Sequence, residues 1–240
     1  MCVVMSSSLT RCTLSGVLVL LWGTLLCAQS GASSDTKENL DLPYDAGGDG
    51  DKGADEDAPE VVVFYGQSFE GDGIFYCLDR SSSTADGELN IEQRETVRNI
   101  MDFSPRIKFG VVFYDSGVEK FPASGLPIEA TPSNKQAAVN WVMQVVPGTG
   151  TCVKRGLLEA LKFANRSTAK RNVLIYLGDG FTTCPQKEAV AYSQKTLTEV
   201  RSRNTKNIQI NAICVGTQVS EDFPKALAAM NAGTYSRVTR

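Results

Sequence analysis

The chain of 240 residues is 42% hydrophobic and 21% charged, an ordinary globular composition with length enough for one substantial core. Its net charge of −3 argues against a global basic field for nucleic acid. It contains no histidine, which excludes Ser-His-Asp triads, Cys-His dyads, HExxH zinc sites and histidine general bases at once. Its seven cysteines form no CxxC pair, so structural zinc is not expected, and a bound metal would be held by oxygen or thiolate.

Charge divides the chain into three pieces. Residues 1–30 carry +1 from Arg11 alone, residues 31–60 carry −8, and residues 61–240 carry +4. In the first piece Arg11 precedes an apolar run from Leu14 to Leu26, and Ala28-Gln29-Ser30 follows as a small-x-small cleavage site. This order marks residues 1–30 as a secretory signal peptide. The run falls short of the ~20 residues a membrane span needs, so an N-terminal anchor is the weaker reading. Leu26 disfavours lipoprotein processing at Cys27, and Cys2, Cys12 and Cys27 would leave with the signal. The mature protein is therefore expected to be secreted, periplasmic or extracellular, with no stable membrane insertion.

Residues 31–60 hold five glycines, two prolines and few large apolar side chains. High charge with low hydrophobicity predicts an acidic disordered linker. Asp49, Asp51, Asp57 and Glu60 match ligand positions of a calcium loop, but Gly53 and Ala54 stand where a ligand and the turn glycine belong. A solvated linker is the preferred reading.

Residues 61–240 alternate short apolar runs with amphipathic stretches. Val61 to Tyr65 is an extra strand or an arm along the domain. Ile74 to Leu78 is apolar on both faces, as a central parallel strand should be. Asn90 and Gln93 have capping-box spacing for a helix whose buried stripe is Val97, Ile100 and Met101. Ile107 to Tyr114 and Val118 to Phe121 flank Asp115-Ser116-Gly117 and read as a hairpin. Val139, Val142, Met143 and Val146 mark a second helix, and Val153, Leu157, Leu161 and Ala164 a third. Val173 to Leu177 is another buried strand, followed by a helix over about Glu188 to Arg203 and a strand from Ile208 to Val215. Phe223, Leu227 and Met230 mark the last helix, and Tyr235 to Val238 a final edge strand. The order predicts an α/β fold, a doubly wound and mostly parallel sheet with one antiparallel hairpin strand and helices on both faces.

Two aspartates end buried strands, Asp79 after the first and Asp179 after Val173 to Leu177. Doubly wound sheets bind ligands outside the carboxyl ends of neighbouring strands where the order reverses. Two carboxylates placed there repel each other unless a cation lies between them. Asp79-Arg80-Ser81-Ser82-Ser83 adds hydroxyls at Ser81 and Ser83, and Gly150-Thr151 adds another at a helix entry. Few carboxylates and several hydroxyls suit Mg²⁺ or Mn²⁺, with Ca²⁺ not excluded. A divalent ion is only neutralised by two carboxylates, so an open position would attract a third from another molecule.

DRSSS at 79–83, GT at 150–151 leading into VKRGLLEAL, and LGDG at 177–180 together resemble the metal-ion-dependent adhesion site (MIDAS) of von Willebrand factor type A (VWA) domains, in order and spacing. The likeness covers about residues 70–240. It implies a Rossmann-like VWA domain over residues 61–240, with Asp79, Ser81, Ser83 and Thr151 in or near the metal's first shell. Asp179 would act directly or through water, and a partner's acidic residue would fill the open position. Thr84 and Ala85 depart from the pairs common after the family's motif, which touches helix packing rather than ligands. Thr149 is a rival to Thr151, which stands at the family's spacing from Gly156-Leu157.

Cys77 and Cys214 lie in apolar strands as small buried hydrophobes. Cys152 and Cys184 fall on loops at the metal-bearing edge, where a disulfide would brace the site and free thiols are the alternative. Arg166, Lys170 and Arg171 read as a solvated basic loop, and Trp141 as core. The expected function is an exported, cation-dependent adhesion module capturing a protein ligand's carboxylate, without enzymatic activity. Two alternatives are a Mg²⁺-dependent, phosphatase-like hydrolase and a structural subunit of an envelope assembly with a non-functional metal site. The hydrolase is disfavoured because no second acid stands beside Asp79 for proton transfer.

Overall fold

The computed structural model describes residues 58–81, 87–184 and 189–239. The expected signal peptide, nearly all of the expected acidic linker, and Ser83 lie outside the described residues. Of the four acids matched to a calcium loop, only Glu60 is described; it belongs to a strand and accepts from the Ser104 N–H at 2.9 Å.

The main sheet has seven strands, with β5 (Val118–Phe121), β4 (Lys108–Tyr114), β3 (Gly73–Asp79), β7 (Asn172–Gly178), β8 (Gln209–Val215) and β9 (Tyr235–Val238) side by side. β3, β4, β7, β8 and β9 are parallel, whereas β5 and the short β6 (Ile128–Glu129) pair antiparallel with β4. The mostly parallel α/β sheet expected from the sequence is thus present, with the antiparallel hairpin at its edge. β6 is an addition that two residues could not announce.

Alternation along the strands builds two cores. Ile74, Tyr76 and Leu78 face one side, with α1 (Glu88–Asp102) and α2 (Pro132–Val142). Phe75 and Cys77 face the other, with α3 (Val153–Arg166), α4 (Ala189–Arg203) and α5 (Asp222–Met230). A separate hairpin, β1 (Glu60–Phe64) with β2 (Gln67–Gly71), adds Val62, Phe64 and Phe69 to the first core. It turns at Tyr65-Gly66, both at positive φ, as a two-residue hairpin turn requires. The Asn99 amide ties it to α1 by donating to the Val63 carbonyl at 2.7 Å. No described helix is long and apolar enough to cross a membrane.

Three local expectations are corrected. α1 begins at Glu88 behind Gly87, so Asn90 lies inside the helix and no Asn90–Gln93 capping box forms. Gln93 instead points inward and donates to the carbonyls of Val142 (2.7 Å) and Val145 (2.8 Å), capping the end of α2. The buried face of α1 joins Leu89 and the expected Ile100 to the polar Glu92, Gln93, Thr96 and Asn99, with Val97 partly buried against the core and Met101 exposed. Because α2 ends at Val142, Met143 and Val146 are exposed rather than part of a stripe. Met230 at the end of α5 is also exposed.

α3 crosses β4 at close range. A Cβ on Gly156 would fall 2.6–2.7 Å from the Tyr114 ring and its Cβ, atoms fixed by the strand. Helix propensity alone favours Gly156→Ala by about 1 kcal/mol, whereas overpacking costs ~1–3 kcal/mol. Packing should win, with a net loss of stability in urea unfolding; a gain would mean that α3 sits farther from the sheet.

Candidate metal centre at the carboxyl end of the sheet

Asp79 is the last residue of β3, and Asp179 follows the last residue of β7. These strands are in-register neighbours, Leu78 opposite Leu177. From β3 the chain moves outward to β4, and from β7 it moves the other way to β8, so the two aspartates flank the point where the sheet order reverses. Asp79 is wholly buried, Ser81 and Thr151 are buried, and Asp179 is half-buried. The Ser81 N–H donates to Asp79 Oδ1 at 2.7 Å, and the Phe181 N–H to Asp179 Oδ1 at 3.0 Å. Each aspartate thus orders the loop that leaves its own strand.

Thr151 reaches this edge through a strapped loop. The Cys152 N–H donates to the Asp115 carbonyl at 2.7 Å, anchoring the entry of α3 to the end of β4. The Thr151 N–H donates to Thr183 Oγ1 at 2.7 Å, and its carbonyl accepts from the Thr183 N–H (3.0 Å) and Thr182 Oγ1 (2.9 Å). Cys152 and Cys184 are disulfide-bonded with Cα atoms 5.0 Å apart, closing the expected bridge. Cys77 and Cys214 are buried free thiols. Thr149 is exposed, and its carbonyl accepts from the Ser116 N–H. Asp79, Ser81, Thr151 and Asp179 therefore share one end of the sheet.

Two features escaped the sequence reading. The Tyr114 hydroxyl donates to Asp79 Oδ2 at 3.2 Å and lies 3.2 Å from the Tyr176 hydroxyl, the rings stacked 6.3 Å apart. A tyrosine within an aliphatic strand is the available signal, because a buried phenol must find a partner. The second is Arg80, whose buried guanidinium donates to Glu119 Oε1 (2.6 Å) and Asp115 Oδ2 (3.3 Å). Arg166 and Lys170 are exposed, as expected of a solvated basic surface, and Arg166 donates to the Gly125 carbonyl while the partly exposed Arg171 pairs with Asp72. Trp141 is half-buried against Phe113 and Phe121.

Burial pushes the Asp79 carboxyl up to about 7, with the charge of Asp179 adding to it and the Ser81 and Tyr114 hydrogen bonds opposing. Among the described residues no three acidic or thiol side chains converge on a metal-sized space. A cation here would therefore draw on two carboxylates and the Ser81 and Thr151 hydroxyls, a hard-oxygen set that fits Mg²⁺ or Mn²⁺.

The folded chain binds a proton at Asp79 that the unfolded chain has released, so stability falls as pH rises from about 4 to about 7. In chelator at pH 8, Asp79→Asn should stabilise the domain by up to ~4 kcal/mol, seen as a raised Tm and a flattened pH profile. An unchanged or lowered Tm would contradict a strained carboxylate. Reducing the disulfide should cost ~3–4 kcal/mol through the freed 32-residue separation. Thermal melts with and without reductant measure that loss, and equal Tm values would remove the brace.

No protein-family model matches the chain. It is 22% identical over 174 residues to inter-alpha-trypsin inhibitor heavy chain 4 of Mus musculus and 25% identical over 173 residues to inter-alpha-trypsin inhibitor heavy chain H1 of Bos taurus. Each match covers 69% of this chain and 18% of the relative, so the chain spans under a fifth of those proteins. Among solved structures it is similar to a von Willebrand factor type A protein from Catenulispora acidiphila, with TM-score 0.61, 16% identity, and 75% of this chain and 46% of that one covered. It is also similar to BatB from Bacteroides thetaiotaomicron (TM-score 0.55, 16% identity, 71% and 91% covered). A third is proximal thread matrix protein 1 from the mussel byssus, described with a zinc-occupied MIDAS motif (TM-score 0.53, 19% identity, 69% and 41% covered). The fold of this chain is that of VWA-type domains.

Proposed function

We propose that the chain is an exported binding module that holds a divalent cation at Asp79, Ser81, Ser83, Thr151 and Asp179 and captures a carboxylate of a protein partner. The observation that carries this reading is the buried Asp79 beside the charge of Asp179, at the carboxyl ends of the two strands where the sheet order reverses. A cation at that point offsets their repulsion, and its open position supplies a Lewis-acidic contact for an incoming carboxylate. Tyr114 orients Asp79 from below, while the Thr182–Thr183 straps hold Thr151. Arg80 engages Asp115 and Glu119, so one of those two nearby negative charges is offset.

Export rests on the signal-peptide pattern of residues 1–30 and agrees with the Cys152–Cys184 bridge, since disulfides persist in oxidising compartments. The hydrolase alternative gains nothing from the geometry. The residue following Asp79 is a basic one committed to two carboxylates, not an acid available for proton transfer.

Titrating Mg²⁺, Mn²⁺, Ca²⁺ and Zn²⁺ calorimetrically into the chelator-stripped chain tests the site. Zn²⁺ belongs in the set because of the zinc-occupied motif described for the mussel protein. One cation should bind per chain, and Asp79→Ala and Thr151→Ala should each abolish or severely weaken it with circular dichroism unchanged. Wild-type affinity in both variants would place any bound ion elsewhere and overturn the reading.

A further inference from the structure

Beside Asp179 the surface opens into a cleft of about 450 Å³ between α4 and α5. Its apolar lining is Phe181, Leu197, Phe223 and Ala226, and Ser220 and Asp222 stand among its polar residues. Phe181 is 48% exposed and is the one exposed aromatic side chain among the described residues. The cleft and the proposed metal centre share a wall. Gly180 and Thr182 line the cleft, the Phe181 N–H is held by Asp179 Oδ1, and the Thr182 hydroxyl is held by the Thr151 carbonyl.

That wall is fixed. The Ser220 N–H donates to the Asp179 carbonyl at 2.8 Å, and a Cβ on Gly180 would fall 2.0 Å from the Ser220 carbonyl oxygen. Gly180 also has φ +79°, so glycine alone suits both the close approach and the backbone. A preformed apolar cleft loses little ordering entropy when it is filled.

We propose that the cleft and the cation site form one composite surface for an extended acidic segment of a protein partner. Its carboxylate meets the cation, and an apolar side chain two residues away enters the cleft. This rests on the carboxylate-capture reading above. Side chains two residues apart in an extended segment point the same way, separated by roughly 7 Å. The charge of Asp222 beside the cleft repels a second acid, and Phe181, Leu197, Phe223 and Ala226 offer apolar contact, so the inserted side chain is aliphatic or aromatic. The same acid disfavours a phosphate backbone as occupant.

The test uses the full chain and labelled glycine-serine peptides that carry one Glu with Leu, Phe, Ala, Lys or Glu two residues to either side. Binding is followed by fluorescence anisotropy in MgCl₂ and in EDTA, with Mg²⁺ alone titrated in parallel. Leu or Phe peptides should bind about tenfold more tightly than the Ala peptide, in MgCl₂ only. Phe181→Ala and Ala226→Gln should erase that preference, while Ala226→Gln keeps wild-type Mg²⁺ binding. Magnesium-dependent binding with no apolar preference, a preference for Lys, or no peptide binding at millimolar concentration overturns the composite surface and spares the cation site. Failure of Mg²⁺ alone to bind, or equal peptide binding in EDTA, overturns the capture reading and this inference with it.

Discussion

The structure turns on one carboxylate kept out of water. Asp79 is fully buried at the end of the central strand, next to the charge of Asp179, and burial alone disfavours its ionised form. Its immediate surroundings only partly relieve this, through the backbone and side chain of Ser81 and one phenol. Such a group is a poor choice for stability, and in the proposed site a divalent ion would supply the compensation that the protein withholds. The neighbouring glycines follow from this placement. A Cβ on Gly178 would fall 2.7 Å from the Tyr114 hydroxyl and 2.9 Å from that of Tyr176. The strand end is therefore bare to make room for the phenols beneath the aspartates. Gly156 does the same for the helix layer, letting α3 lie against Tyr114.

The loops around Asp79 are held by more than their sequence suggests. Backbone bonds join Ser116 to Thr149, Gly148 to Arg80, Thr183 to Thr151 and Ser220 to Asp179, and the disulfide closes the set. Each strap links segments far apart in sequence, so the ordering cost of the edge is met during folding rather than on binding. Gly148 shows how tight this is, since a Cβ there would fall 1.9 Å from Asp115 Oδ2.

The parallel strands were legible because they are short apolar runs between turn signals, and Asp79 and Asp179 because acids at the ends of such runs have no core role. Ile100 and Val142 were legible as buried, but the polar residues of α1's inner face and the end of α2 were not. Gln93 satisfies two carbonyls of a segment about fifty residues away, a tertiary bond that local periodicity cannot encode. That bond also explains why the apolar pattern running on through Met143 and Val146 is not helix. The Tyr114–Tyr176 pair was hidden for a similar reason, because each tyrosine reads locally as one more strand residue. β2 was missed because Gln67 to Gly71 is mostly polar, and only Phe69 faces the core.

Arg80 completes the electrostatics of this edge. Four carboxylates crowd it, Asp79, Asp179, Asp115 and Glu119, and one buried guanidinium engages the last two. That fixed charge offsets one of the two and cannot be lost by deprotonation, and in the proposed site Asp79 and Asp179 are the carboxylates that would hold the metal. A divalent ion there would balance Asp79 and Asp179 and leave one net negative charge among the four acids and Arg80. Without Arg80 the same edge would carry one further uncompensated negative charge, which in the proposed site would weaken anion capture while strengthening cation retention. In the proposed site, the arginine between Asp79 and Ser81 would tune the balance between holding the metal and holding the partner.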